Sequence, residues 1–418
     1  MMRSAVALSA LSMLAGTEAA ETVLGAYIFH RHGDRTPKAL APTNLTALGY
    51  EQVYTSGSYY RSRYLEGSSK INGINEDIVK LSQLSVMSPV DNVLQNSATA
   101  FLQGLYPPVQ TVQTLGNGQS VQAPMDGYQL IPVNTIETGA GSEDAGWLQD
   151  ASSCQNAKTS SNNYFNSEEY NAIASRTKDF YSSLVPSINN VISEDQVTYK
   201  NGYIVAGMQL AGEILKYMEA LISGNGAQKL GIQFGPYATF LSFFGLVDLP
   251  KVSDDFTGVV DYASSMSFEL ITEADVSNGF PSENDLSIRF LFHNGTASNT
   301  SEPTAYPLFG GSSETVSWAD FQNSLNQFAI TNTEQWCTKC GNSTGICAAY
   351  ARDNIFIQSS NGRANGMSPT VGGVIGAFVT LAVVLGSLAL FMMVGGFRLM
   401  SKKKMAEAVQ ASSIEPKA

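Results

Sequence analysis

Within the stretch Tyr27-Ile28-Phe29-His30-Arg31-His32-Gly33-Asp34-Arg35-Thr36-Pro37, two imidazoles and two guanidiniums fall inside six residues. Arg31 and Arg35 can each offer forked, charge-assisted hydrogen bonds to phosphate oxygens, a geometry lysine cannot reproduce. An imidazole between them, His32, can attack phosphorus once the guanidiniums have drawn off the negative charge. His30 lies two residues earlier, on the same face as His32 if the strand persists, and is read as an orienting or core residue. Asp34, flanked by cationic side chains, is read as an ion-pair partner that orders the turn.

These residues need an element to position them. The apolar run over residues 23–29 predicts a short buried strand, closed downstream by Gly33 and Pro37. In an open α/β sheet, ligands gather beyond the carboxyl ends of the strands. The basic turn is therefore expected at a sheet edge, in a crevice suited to an anion.

The segment Arg31-His32-Gly33-Asp34-Arg35-Thr36-Pro37 has the form RHGxRxP, and on it the chain resembles the histidine acid phosphatases, the phosphomonoesterase and phytase branch (branch 2) of the histidine phosphatase superfamily. The resemblance implies an α/β fold, with a phosphoglycerate-mutase-like sheet sandwiched by helices and a helical cap inserted within about residues 40–200. It also implies that His32 is phosphorylated during turnover while Arg31 and Arg35 hold the phosphate. Thr46-Ala-Leu-Gly-Tyr50, Phe101-Leu-Gln-Gly-Leu-Tyr-Pro-Pro108, Phe268-Glu-Leu-Ile, Leu286-Ser-Ile-Arg-Phe-Leu-Phe-His293 and Trp318-Ala-Asp-Phe-Gln-Asn-Ser-Leu325 extend the likeness through to a late β-hairpin and closing helix. Helices are expected over 44–65, 167–188 and 206–223, the first two as parts of the cap. His293, beside a glycosylation sequon, is expected to be a solvated surface histidine.

Two departures stand out. Family members carry a further phosphate arginine on the helix that ends at Phe101–Pro108, but here the corresponding positions read Asp91-Asn92-Val93-Leu94. A strand over 230–234 should run into a helix near Pro236, an acceptable first position for proline. Relatives place a His-Asp pair at that turn, the histidine on phosphate and the aspartate protonating the leaving alcohol. This chain has Gly235-Pro236. A positioned general acid contributes typically ~10²–10⁴-fold, and loss of one donor at an anion hole costs about 3–4 kcal/mol. Two functions follow: a phosphomonoesterase acting through phospho-His32 with impaired turnover, or a catalytically inactive relative that binds a phosphorylated or anionic ligand, or a surface partner, in the same cleft.

The whole chain sets the context. With 418 residues it can bury a large core in one or two domains. Residues 1–20 read as a cleaved signal peptide, with Arg3, an apolar run and a small-residue end. Residues 371–397 carry no charge and can cross a bilayer of ~30 Å as a helix. Arg398 and Lys402-Lys403-Lys404 then keep the tail, 398–418, in the cytosol, and a Ser-, Gly- and Asn-rich linker, 359–370, precedes the span. The expected product is a single-pass membrane glycoprotein of the secretory pathway, at the cell surface or in a vacuole- or lysosome-like membrane, with an ectodomain over 21–358. Sequons at Asn44, Asn294, Asn299 and Asn342 fit that route. Cys154, Cys337, Cys340 and Cys347 are an even set suited to two disulfides, whose connectivity stays open. Net charge is −12 and no basic stripe exists outside the tail, which argues against nucleic acid as a partner. No metal and no cofactor is expected. A phosphate monoester or another small anion is the expected ligand.

Overall fold

The computed structural model describes residues 21–37, 42–135, 154, 156, 168 and 204–350. All lie in the unit Met1–Arg352. The segments 1–20, 359–370, 371–397 and 398–418, and nearly all of the expected 167–188 helix, fall outside the described residues. Among the described residues no helix is long and apolar enough to cross a membrane.

In chain order the elements that matter are β1 (Thr22–Arg31), α1 (Ala47–Arg61), β2 (Leu84–Ser88), α2 (Asn92–Leu105), a separate hairpin of β3 (Val112–Thr114) and β4 (Ser120–Gln122), and β5 (Asn134–Thr135). They continue with α3 (Ile204–Ser223), β6 (Leu230–Gly235), α4 (Tyr237–Leu246), β7 (Ser265–Thr272), β8 (Leu286–His293), β9 (Thr304–Ala305), β10 (Thr315–Ser317), α5 (Trp318–Asn326) and α6 (Thr333–Cys340). The main sheet runs β10-β8-β7-β1-β6-β2-β5, with β9 paired to β8. β1 is parallel to β6 and antiparallel to β7. β2 is parallel to β6, so the carboxyl ends of β1, β6 and β2 share one edge.

β1 is buried along its length because both of its faces are covered. Alternation sends Ala26 and Ile28 into a core with Val53, Tyr60 and Phe101 of α1 and α2. Tyr27 and Phe29 go into the opposite core with Ile214, Phe240, Phe243 and Phe321 of α3, α4 and α5. Two helical layers thus sandwich one sheet, as the family resemblance implies.

The first helix differs from expectation. It begins at Ala47 because Thr46 caps it, its hydroxyl accepting from the Gly49 N–H, and it gives way to a π-helical turn at Ser62–Glu66. It is not part of an inserted cap. Buried Val53 and Tyr60 seat it directly on the sheet beside α2, and Tyr64 of the π-helical turn joins the same core. The two helices approach closely through glycines: a β-carbon on Gly57 would lie 2.0 Å from the Phe101 carbonyl oxygen, and one on Gly104 would lie 2.2 Å from that of Tyr54. α3 starts at Ile204, and α4 starts at Tyr237 with Pro236 as its N-cap residue.

Candidate active site

The strand ends at Arg31, so His32 leaves the alternation that governs His30. His30 is fully buried toward α1 and α2, its Nδ1–H donating to the Arg31 carbonyl (2.6 Å) and its Nε2 accepting from the Ser56 hydroxyl (2.8 Å). With both nitrogens committed, it orients the turn and is no second nucleophile. Burial lowers its pKa to about 4.

The turn is built on backbone contact with α1. A β-carbon on Gly33 would sit 2.2 Å from the Gly49 carbonyl oxygen, and one on Gly49 would sit 2.0 Å from that of Asp34. Only glycines permit this approach. The Gly33 N–H donates to Ser97 Oγ on α2 (3.2 Å), and the Asp34 N–H donates to Gln52 Oε1 on α1 (2.9 Å). The Asp34 carboxylate accepts from the Thr46 hydroxyl (2.6 Å). Asp34 therefore does order the turn, but through the capping hydroxyl of α1. Among the described residues it makes no ion pair.

Arg31 and His32 are each 7% exposed. The Arg31 guanidinium lies between two aromatic rings, 4.4 Å from the Tyr262 centroid and 5.3 Å from that of Tyr237. It donates to the Val260 carbonyl, while its buried Nε has no hydrogen-bond partner among the described residues. Burial brings its pKa down to about 10, partly offset by Tyr262 and Tyr237, so the group stays charged. Arg35 is half-buried and donates to the Thr36 carbonyl (2.9 Å). Neither arginine forms an ion pair among the described residues.

His32 donates Nδ1–H to the Gly33 carbonyl (2.8 Å). This fixes the tautomer and leaves the Nε2 lone pair without a hydrogen bond among the described residues. Burial, reinforced by Arg31 and Arg35, pulls its pKa down to about 4, against smaller opposing effects of the Gly33 bond and Asp91. The imidazole is thus neutral and nucleophilic across mildly acidic and neutral pH.

Gly235-Pro236, where the family resemblance implies a His-Asp pair, lies beside these groups, because Gly235 is the direct strand partner of Arg31. The space that a side chain at 235 needs is filled: a β-carbon there would lie 2.3 Å from Cζ of Phe29. Phe29 packs on Phe240 of α4 with ring centroids 5.0 Å apart. Where the resemblance implies a third phosphate arginine, Asp91 caps α2 by accepting from the Leu94 N–H (2.9 Å), and Asn92 is exposed.

His293 ends β8 but is not a freely solvated side chain. Its Nδ1–H donates to the Gly295 carbonyl (3.0 Å), and Nε2 accepts from the Ser301 hydroxyl (2.8 Å). The cysteines pair as Cys154–Cys340 and Cys337–Cys347, which settles the open connectivity. Asn44, Asn294 and Asn299 are exposed, and Asn342 is half-buried. Sequence reasoning did not single out Tyr262, Tyr237, Phe29 or Ser97 as site residues. Tyr262 carries no motif signal, and it reaches His32 only because β7 pairs with β1 (ring centroids 5.4 Å apart).

A family model described as the histidine phosphatase superfamily (branch 2) matches residues 40–211. Human (Homo sapiens) prostatic acid phosphatase is 31% identical over 168 residues, which cover 37% of this chain and 39% of that protein. The chain thus aligns with about two fifths of the length of that curated relative. Among solved structures, the phytase from Citrobacter braakii superposes with a TM-score of 0.50 at 12% identity, covering 77% of this chain and 99% of the other. The apo form of Hafnia alvei phytase gives 0.50 at 11% identity, covering 77% and 98%. These two likenesses show the fold.

Two outcomes follow from the geometry. In an NMR titration, the His32 ring should protonate with a midpoint of about 4, and its signal should vanish in His32→Ala. Between about pH 6.5 and 4 the unfolded chain takes up protons on His30 and His32 that the folded chain refuses, so thermal stability should fall as pH drops through that window. A midpoint near the ordinary histidine value would contradict the buried site. Separately, Gly235→Ala should cost about 1–3 kcal/mol by overpacking. Measured by denaturant unfolding, that cost should shrink when Phe29→Leu is combined with it, showing coupling between the two positions.

Proposed function

Because the chain belongs to the histidine phosphatase superfamily, branch 2, we propose that it takes the phosphoryl group of a phosphate monoester onto His32 Nε2, with Arg31 and Arg35 holding the phosphate oxygens. One observation carries this reading. Among the described residues, Arg31 is a charged guanidinium that is 7% exposed and without an ion pair, adjacent to an imidazole whose Nε2 makes no hydrogen bond. A buried charge without a counter-ion is costly, and an anion docked there repays the cost. The relative named an acid phosphatase supports phosphate-ester chemistry as the use of that charge.

The same geometry supports impaired turnover. With Gly235-Pro236 in place of the His-Asp pair and Asn92 beside the α2 cap, the phosphate has fewer ligands and the leaving oxygen lacks its usual carboxylic acid. Aryl esters, whose leaving groups need little protonation, are the substrates least affected. A second reading, an inactive phosphatase relative that holds a phosphorylated or anionic ligand, is favoured by Phe29, whose ring occupies the space a histidine at 235 would need.

We place the protein in the secretory pathway as a single-pass membrane glycoprotein with a cytosolic C-terminus. Support comes from two disulfides, as expected of an oxidising compartment, from the exposed sequons at Asn44, Asn294 and Asn299, and from the apolar stretch 371–397 followed by basic residues.

The reading is tested by incubating the full-length protein with an aryl phosphate at mildly acidic pH, quenching, and locating phosphate by mass spectrometry. Phosphohistidine at position 32 that forms and turns over, absent in His32→Ala and strongly reduced in Arg31→Ala, is the expected result. No adduct and no product, with phosphate still bound in an Arg31-dependent manner, would overturn hydrolysis in favour of the binding protein.

A further inference from the structure

We propose that Tyr262 supplies the proton the leaving group needs, replacing the carboxylic acid lost at Gly235-Pro236; the proposal rests on the phosphomonoester reading of the same site. Three features place this phenol for the task.

First, the Tyr262 ring stands at the junction of the two groups that would handle phosphate, 5.4 Å from the His32 ring and 4.4 Å from Cζ of Arg31. It is half-buried, and its hydroxyl makes no hydrogen bond to protein among the described residues. The proton is therefore uncommitted. The nearby carboxylates are differently disposed. Asp34 accepts from Thr46 and Asp91 caps α2, so each is committed as a hydrogen-bond acceptor, and Asp261 is exposed.

Second, the loop that carries Tyr262 is fixed to the catalytic turn. The Ala263 N–H donates to the His32 carbonyl (2.9 Å), and the Arg31 N–H donates to the Ser264 carbonyl (2.8 Å). On its far side Asn294 Oδ1 accepts from the Asp261 N–H (2.7 Å), and Ser264 Oγ accepts from the Gly295 N–H (2.7 Å). Ala263 itself is held at φ +60°, a left-handed conformation unusual for a residue with a β-carbon. Such a conformation persists where surrounding contacts over-determine it, and it clusters at functional sites.

Third, the chemistry balances. Nε2 of His32 forms a bond to phosphorus as the ester P–O bond breaks, and the departing oxygen takes the phenolic proton of Tyr262. The products are the alcohol, phospho-His32 and a tyrosinate facing the Arg31 guanidinium. Water then attacks phosphorus, the P–N bond breaks, and the tyrosinate takes the proton from that water. Phosphate leaves with His32 neutral and Tyr262 protonated, as at the start. As a class, a phenol is a stronger acid than the alkyl alcohol it would serve here.

The test compares full-length wild type and Tyr262→Phe on an alkyl phosphate, glycerol 2-phosphate, and on 4-nitrophenyl phosphate. The expected result is a loss of ~10²-fold or more on the alkyl ester, in the range of a lost general acid, with a much smaller loss on the aryl ester. Phosphohistidine trapped from the aryl ester in the variant shows that its site is folded. Equal losses on both esters would overturn the proposal and reduce the ring to a stacking partner of Arg31, and no loss on either would overturn it as well. If wild type forms no phosphohistidine and hydrolyses neither ester, the phosphomonoester reading itself fails and takes the proposal with it.

Discussion

A buried guanidinium without an ion pair among the described residues is the constraint on which the rest of the site depends. Arg31 ends a strand covered on both faces, lies between Tyr237 and Tyr262, and keeps a buried Nε without a partner. Its aromatic neighbours offset part of the desolvation through their ring faces, but they cannot neutralise the charge. The same burial, together with Arg31 and Arg35, keeps His32 neutral down to about pH 4. One arrangement thus provides both the attraction for an anion and the form of the imidazole that can attack it.

Holding these groups together is mainly a matter of backbone approach. Gly33 meets Gly49, so the turn after β1 rests on the first turn of α1, and the Thr46 hydroxyl both caps that helix and binds Asp34. The cost of ordering the turn is therefore shared with a helix that is in turn seated on the sheet by Val53 and Tyr60. On the other face the design has changed. Phe29 occupies the space that a side chain at 235 would need, so the glycine there is built into the packing of β1, β6 and α4 rather than confined to one loop.

Much of this was legible in the sequence. The apolar run before His30, the RHGxRxP residues and the strand-turn-helix around Gly235-Pro236 are local signals, and each has its expected element. What was missed depends on pairing across the chain. Tyr262 stands in an unremarkable sequence, and only the register of β7 against β1 brings it to His32. Phe29 reads as one more core residue until the parallel pairing of β1 with β6 sets it against Gly235. The assignment of α1 to a cap failed for a related reason: its apolar spacing shows that one face is buried, but not against what. Asp34 was given an ion pair because its sequence neighbours are cationic, whereas the partner the fold supplies is a hydroxyl twelve residues away.

The most direct measurement is a crystal structure of the protein with orthovanadate, which mimics phosphorus under in-line attack. The expected result is vanadium bonded at one apex to Nε2 of His32, with equatorial oxygens on Arg31 and Arg35 and the opposite apical oxygen facing the Tyr262 hydroxyl. Vanadate bound elsewhere, or seated on the arginines with Nε2 of His32 turned away from it, would contradict the account.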